Sequence, residues 1–398
     1  MRILYIQSAE LIPYALHTFK TMGYEVDVFT GNEKSISKST PQLGKVLDRT
    51  LAKVKDGYYD LAFSFNFFHV ISDTCQKHKL IYISWIYDSP QAELFHPALN
   101  NSNNAIFLFD KCLFHRMKAF GEANLYYRPL AADTEGIAGV GITLEDEKKY
   151  SGDIAFVGQM YEENTYNRLF QDMPESLKQE FQFYLQEHSC DWKSEKTWPK
   201  VSGEAVEYLY GLSAEGAKLA YRMPLEEYYG TILLSRKQAE IERRLALYRL
   251  SLMHPVRVFT NSRLNPPKLE KGEVLPPVDY GTEMRKVFHL SKINLNFTLP
   301  SIESGVPLRV MDIVSVGGFC LSNAQNEIGE LFEVGKEIEV FHDMEELLWK
   351  TLYYLRHEDE RIEIAIRGYQ KAASMYSYRH ALKEMLSVAE ALKEREQI

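Results

Sequence analysis

The chain has 398 residues, of which 45% are apolar, 13% aromatic and 25% charged, with a formal charge of −9. That composition belongs to a globular protein of two or more domains and excludes a chain that is mainly disordered. No apolar run is long enough for a membrane span, the opening MRILYIQSAE lacks signal-peptide order, and the acidic balance argues against a broad nucleic-acid surface.

Residues 2–6 (RILYI) form the first predicted strand. Ile12, Leu16 and Phe19 then recur at helical spacing, ended by Gly23. EVDVFT (25–30) is β-branched and aromatic, and Leu47, Leu51 and Val54 repeat the helical spacing. DLAFSF (60–65), LIYISWIY (80–87) and AIFLF (105–109) follow as strands. Leu113, Met117 and Phe120 mark a helix, and LYYRPL (125–130) closes the series. Apolar strands alternating with amphipathic helices predict a parallel sheet covered on both faces. Residues 134–152, rich in Gly and charge, read as an inter-domain linker.

DIAFVG (153–158) starts a second series, continued by VRVFT (256–260), KINLNF (292–297), GFCLS (318–322) and IEVF (338–341). Residues 306–316 and 343–356 read as helices, the second with Asp343 as N-cap and Glu346 three residues on. Residues 165–250 carry helical patterns and no clear strand, so they read as a helical insertion. The expected organisation is α/β, with two doubly wound, Rossmann-like domains. The first spans 1–140 and the second 150–376. A charged amphipathic helix at 377–398 packs back toward the first. Ligands bind at the C-terminal edges of such sheets, and two facing crevices make one cleft for two substrates. Cys75, Cys112, Cys190 and Cys320 form no CxxC pair, which fits reduced thiols in the cytoplasm.

The segment 294–323 (NLNFTLPSIESGVPLRVMDIVSVGGFCLSN) reads strand, loop, helix, Gly-Gly, strand. Gly305 before a helix lets a phosphate approach backbone N–H groups at the positive end of the helix dipole. Arg309 adds charge toward the same anion. Asp312, one turn on, suits a ribose diol, and Gly317 and Gly318 end the helix. An ordinary βαβ unit with a polar helix face has the same pattern. In YISWIYDSP (82–90), Asp88 ends a strand at the sheet edge, where a carboxylate serves as general base or as a turn residue. His69, in SFNFFHV after the preceding strand, is the rival base. Asp-Thr-Glu (133–135), Glu-Asp-Glu (145–147) and the 357–361 charges read as solvated. Arg236, Lys237, Arg243 and Arg244 read as a solvated basic face or a contact to donor phosphate or an acidic acceptor. The first βα turn, YIQSAELIPY, lacks GxGxxG, which removes the main support for a dehydrogenase.

YISWIYDSP (82–90), DIAFVGQMY (153–161), SRKQAEIERR (235–244), VRVFTNS (256–262), VFHLSKINLNFT (287–298), SGVPLRVMDIVSVGGFCLSN (304–323), YYLRHEDERIEIAIRGY (353–369) and YSYRHALKEML (376–386) stand in one order. With these the chain resembles the CgeB-like, spore-maturation-type glycosyltransferases of the two-domain GT-B class, over about residues 55–390. The resemblance implies a nucleotide-sugar donor, a UDP-sugar, held by the second domain, an acceptor on the first, and no obligatory metal or other cofactor. It places Gly158, Arg168, Asn296, Glu303, Gly305, Val306, Arg309 and Asp312 around the donor, with the Val306 N–H on the diphosphate. Many retaining GT-B enzymes carry two acids separated by seven residues. Glu303 and Asp312 are separated by eight, so the stereochemical outcome stays open. The acceptor is a protein, a glycan or a small molecule. The other readings are a nucleotide-sugar hydrolase or epimerase on the same fold, and a non-catalytic two-lobe nucleotide-sugar-binding protein.

Overall fold

The computed structural model describes residues 1–396 apart from 8–12, 31–39, 90, 122, 136–140, 194–197, 216–222 and 263–264. Ile12, Pro90 and the centre of the expected linker therefore lie outside the described residues. The chain divides into two compact units. One comprises Met1–Ala131 with Tyr376–Ile398, the other Ala132–Leu219 with Met223–Met375.

The first unit is built on six parallel strands: β1 (Arg2–Ile6), β2 (Glu25–Phe29), β3 (Leu61–Phe65), β4 (Ile81–Trp85), β5 (Asn104–Leu108) and β6 (Leu125–Tyr127). Their spatial order is β2-β1-β3-β4-β5-β6. Every residue of β3, β4 and β5 is buried, which is why these strands read as unbroken apolar runs. The winding reverses between β1 and β3, so the crevice that accepts ligands opens beyond their C-terminal ends. The helix Tyr378–Glu396 packs in this unit against Pro13–Thr21, β4 and β5. Its Tyr378 ring meets Trp85 at 5.7 Å and Tyr14 at 5.9 Å, and its Glu384 pairs with Arg128 at 2.8 Å.

The second unit holds β7 (Gly152–Val157), β8 (Val256–Phe259), β9 (Gly272–Leu275), β10 (Ser291–Asn296), β11 (Cys320–Asn323) and β12 (Glu339–Phe341). These strands are also parallel, in the order β12-β11-β10-β7-β8-β9, with the reversal between β7 and β10. Strand β9 is not visible in the sequence pattern, because it is a four-residue edge strand with exposed and half-exposed positions only. Gly272 (φ +112°) admits it. A Cβ there would run into the Val256 backbone.

The segment expected to be a linker belongs to the second unit where it is described. Leu144–Tyr150 is a helix with a Thr143–Asp146 capping box. Tyr150 is buried, Asp146 pairs with Lys286 at 2.8 Å, and the Tyr150 hydroxyl donates to Glu283. The charges of 145–149 belong to this short helix. The 165–250 stretch carries helices joined by turns, with no strand among its described residues. It comprises Thr165–Leu169, Glu175–His188, Gly203–Glu215, Leu225–Tyr229, a π-helical turn Gly230–Ser235, and Arg236–Met253.

Candidate active site

Beyond the C-terminal ends of β7 and β10, the chain forms a loop from Phe297 to Val306 whose backbone is held by side chains. Thr298 N–H donates to Asn323 Oδ1 (2.6 Å), and Ser301 N–H to Ser235 Oγ (2.9 Å). Gln325 donates to the Ile302 carbonyl (3.1 Å), and Ser304 Oγ to the buried Glu327 (2.6 Å). Asn296 turns inward to Thr298 Oγ1 (3.0 Å) and Ser322 Oγ (2.9 Å), so its amide shapes the loop. Glu303 is partly buried, and Gly305 and Val306 are buried. The helix runs from Leu308 to Ser315 with Pro307 as N-cap, two residues later than the expected start near Val306. Proline at that position offers no capping side chain, and none caps the turn. The helix ends as expected. Gly317 (φ +69°) and Gly318 donate to the carbonyls of Val314 and Ile313, in a Schellman closure.

Arg309 turns to the neighbouring Glu283–Leu290 helix. Its guanidinium lies over the Phe288 ring, contacts the Met284 sulfur, and pairs with Asp312 at 3.3 Å. Asp312 also accepts from the Tyr280 hydroxyl at 2.9 Å. Burial pushes its carboxyl up to about 6, against the opposing pull of Arg309 and Tyr280. Gly158 is locked into the sheet by its N–H on the Phe259 carbonyl (3.0 Å). Arg168 is exposed and bonds only its neighbour Thr165 among the contacts seen (2.9 Å).

The basic run 236–244 is solvated only in part, with Arg236 exposed and Arg243 buried. Arg243 is 7% exposed and sits at the reversal itself. One guanidinium nitrogen donates to the Gln159 carbonyl beyond β7 (2.5 Å), the other to the Phe297 carbonyl beyond β10 (2.7 Å). The Phe156 and Tyr161 rings flank it at 5.5 and 4.7 Å. Burial pushes its pKa below the usual arginine value. Glu240 is a buried hub, receiving Asn164, Asn167, Lys237 and Arg244 at 2.9–3.2 Å. Of the charges read as solvated, Glu135, Glu145, Glu147 and Glu358 are exposed, whereas Asp133 and Arg361 are engaged. Asp133 is paired with the buried Arg285 at 2.6 Å, and Arg361 is buried with its guanidinium on the Tyr354 carbonyl (2.8 Å).

In the first unit, the turn after β3 is stitched to the segment after β4 by three side chains. Asn66, buried and in the left-handed region (φ +59°), donates to Asp88 Oδ2 (2.7 Å). Gln91 donates to the Phe67 carbonyl (2.6 Å) and accepts from its N–H (2.8 Å). Glu93 accepts from the His69 backbone N–H (3.0 Å) and lies 2.8 Å from His69 Nδ1. His69 opens a helix, His69–Lys77, rather than ending a strand. The Glu93 contact makes Nδ1 the donor and Nε2 the basic nitrogen. The His96 ring stacks on His69 at 4.1 Å, and its Nδ1 accepts from Ala98 N–H (3.1 Å). Burial first, then His69, lowers the His96 pKa. Asp88 and His69 thus share one rim, Asp88 exposed and His69 half-buried. Trp85 and the neighbouring Phe65 are stacked core residues.

Residues 239–387, less than half of the chain, match the family described as Glycosyl transferase-like. A sucrose-phosphate synthase from Thermosynechococcus elongatus is similar in fold, with a TM-score of 0.54 and 8% identity over 99% of this chain and 100% of that one. An alpha-glucosyltransferase solved with UDP-glucose and DNA containing an abasic site aligns with a TM-score of 0.54 and 11% identity, over 98% and 99% of the two chains. A glycosyltransferase from Rickettsia africae ESF-5 aligns with a TM-score of 0.51 and 9% identity, over 98% of each. The chain has the GT-B fold, with a glycosyl transferase-like region at 239–387. No curated protein matches it in sequence. No helix among the described residues is long and apolar enough to cross a membrane.

Two features of the site escaped the sequence. Glu93 lies in a short 3-10 turn with no periodicity to mark it, 24 residues from His69. Arg243 stands in a run of charges that looks like any exposed helix face. The one signal is Ala239, Ala246, Leu247 and Leu250 on the same helix, which show that much of it is buried.

Proposed function

We propose that the chain transfers a sugar from a nucleotide diphosphate donor, a UDP-sugar, to an acceptor hydroxyl without an obligatory divalent cation, and that it belongs among the CgeB-like transferases. The observation that carries this reading is the rigid Phe297–Val306 loop. It feeds an uncapped helix start beside the buried Arg243, where β7 and β10 diverge. Backbone N–H groups at such a start and a nearby guanidinium supply positive charge to a departing diphosphate. Gly158, Gly305, Val306 and Arg309 line the diphosphate. Asn296, Glu303 and Asp312 serve the sugar and ribose side, and Arg168 the outer edge. The UDP choice is supported by the UDP-glucose bound to a neighbour of the same fold.

The acceptor side belongs to the first unit. His69 Nε2, oriented through Glu93, takes the proton of the acceptor hydroxyl, with Asp88 as the rival base. The acceptor oxygen bonds to the anomeric carbon, and the diphosphate leaves with the electron pair of the broken bond. The acceptor is a glycan, a protein or a small molecule, with no nucleic acid involved, and the reaction takes place in the cytoplasm.

Calorimetric titration with UDP, GDP and UDP-glucose, with and without EDTA, tests the donor half. UDP is expected to bind equally well with the chelator present. No nucleotide binding, or binding lost with EDTA, overturns the reading. Incubation with UDP-sugar alone separates transfer from hydrolysis and epimerisation. Under transfer the donor stays essentially intact, whereas rapid conversion without acceptor assigns the chain to one of those reactions.

A further inference from the structure

The helical insertion carries an open groove of about 590 Å³ that the transfer scheme does not use. One wall is the Glu175–His188 helix, the other the segment Trp198–Lys200. The helix buries Leu177, Phe181, Tyr184 and Leu185 in the insertion's own core. Phe183 falls off that stripe and is 66% exposed at the groove. Trp198 lies 6.0 Å from the Tyr184 ring and is seated on Gly230, where a Cβ would collide with the indole. An exposed phenylalanine facing a fixed indole is a costly surface to leave in water.

The remaining lining is acidic. Glu180, Glu187 and Asp191 stand with one lysine, Lys200, and one histidine, His188. One oxygen of Glu180 accepts from Ser202 Oγ (2.7 Å), while the other is buried with no hydrogen-bond partner among the described residues. Rings that pack against C–H faces, together with carboxylates that accept from O–H groups, are the two halves of sugar recognition. The negative balance repels phosphate and carboxylate, so the groove is not a second nucleotide site.

We propose that this groove binds a neutral oligosaccharide, stacking it on Phe183 and Trp198 and receiving its hydroxyls on Glu187. For the transferase it would be an anchor for a glycan acceptor, held apart from the residues that serve donor chemistry. Saccharide binding needs no donor, so its failure is separable from failure of the transfer reading.

The test uses the full chain with cellotetraose, maltotetraose, chitotetraose and mannotetraose. Tetragalacturonate serves as the acidic control and tetralysine as the basic one. Saturation-transfer NMR and tryptophan fluorescence are the readouts. At least one neutral tetrasaccharide is expected to bind. Phe183→Ala, at an exposed position, is expected to weaken it at least tenfold without changing the melting temperature or UDP affinity. Glu187→Gln is expected to weaken it several-fold. Absence of binding by all four neutral tetrasaccharides overturns the proposal. So does binding indifferent to Phe183→Ala, or Phe183-dependent binding of tetralysine or tetragalacturonate alone.

Discussion

The two sheets are wound alike, six parallel strands each with one reversal, yet the rims beyond their strand ends differ in kind. The first gathers Asp88, Glu93, His69 and His96, stitched by Asn66 and Gln91. The second is organised by a buried guanidinium, Arg243, and by the opening of the Leu308–Ser315 helix. Winding creates a place for a ligand, and the side chains at that place decide its chemistry. A rim that orients a histidine through a carboxylate suits proton removal. A rim rich in fixed positive charge suits an anionic leaving group.

The comparison breaks most visibly at His69. His69→Ala is expected to lower turnover by about 10²–10⁴-fold, the range for a lost general base, while UDP affinity by calorimetry stays unchanged. Asp88→Asn is expected to cost less than about tenfold, and the reverse ranking would make Asp88 the base. Next comes Arg243→Met, which leaves the Gln159 and Phe297 carbonyls without their donor. A loss of about 2–4 kcal/mol in urea unfolding is expected from two buried unsatisfied groups. An unchanged midpoint would show that the rim stands without its guanidinium.

Arg309→Ala tests whether that residue leaves Asp312 to serve the anion. UDP binding is expected to weaken by about 1.5–3 kcal/mol, and an unaltered Kd removes Arg309 from the site. The last variant sharpens the electrostatics of the same rim. Asp312 titrates at about 6 in the fold, above the ordinary 3.8. The folded state therefore holds a proton that the unfolded chain has released between those values. Stability falls as pH rises through that window and stays lower above it. Asp312→Asn removes this loss, so its stability relative to the parent is expected to improve by about 2–3 kcal/mol between pH 4 and pH 8. A pH-independent difference in melting temperature would contradict burial as the cause.

Elements that depend on neighbours in sequence were legible. β3, β4 and β5 stand within a residue or two of their apolar runs. Asp343 caps its helix through the Glu346 N–H (2.8 Å), and Gly317 closes its helix in the left-handed region. The short exposed strand β9 and the helix His69–Lys77 were not, the first too polar for a strand signal and the second entered through the apolar Phe67 and Phe68. The loop at 297–306 was legible as a loop, but not the four side chains that hold it, which come from Ser235, Asn323, Gln325 and Glu327.

By itself the sequence determined the alternation of strand and helix, the Gly-bearing turn at 305 and the helix ends, because periodicity, capping and left-handed glycines act over a few residues. Only tertiary structure decided which charges are buried. The Arg243 contacts span 84 and 54 residues, and the His69–Glu93 contact spans 24. Whether a guanidinium faces water or a carbonyl depends on which distant strand ends arrive beside it. A local pattern of charges carries no record of that arrival.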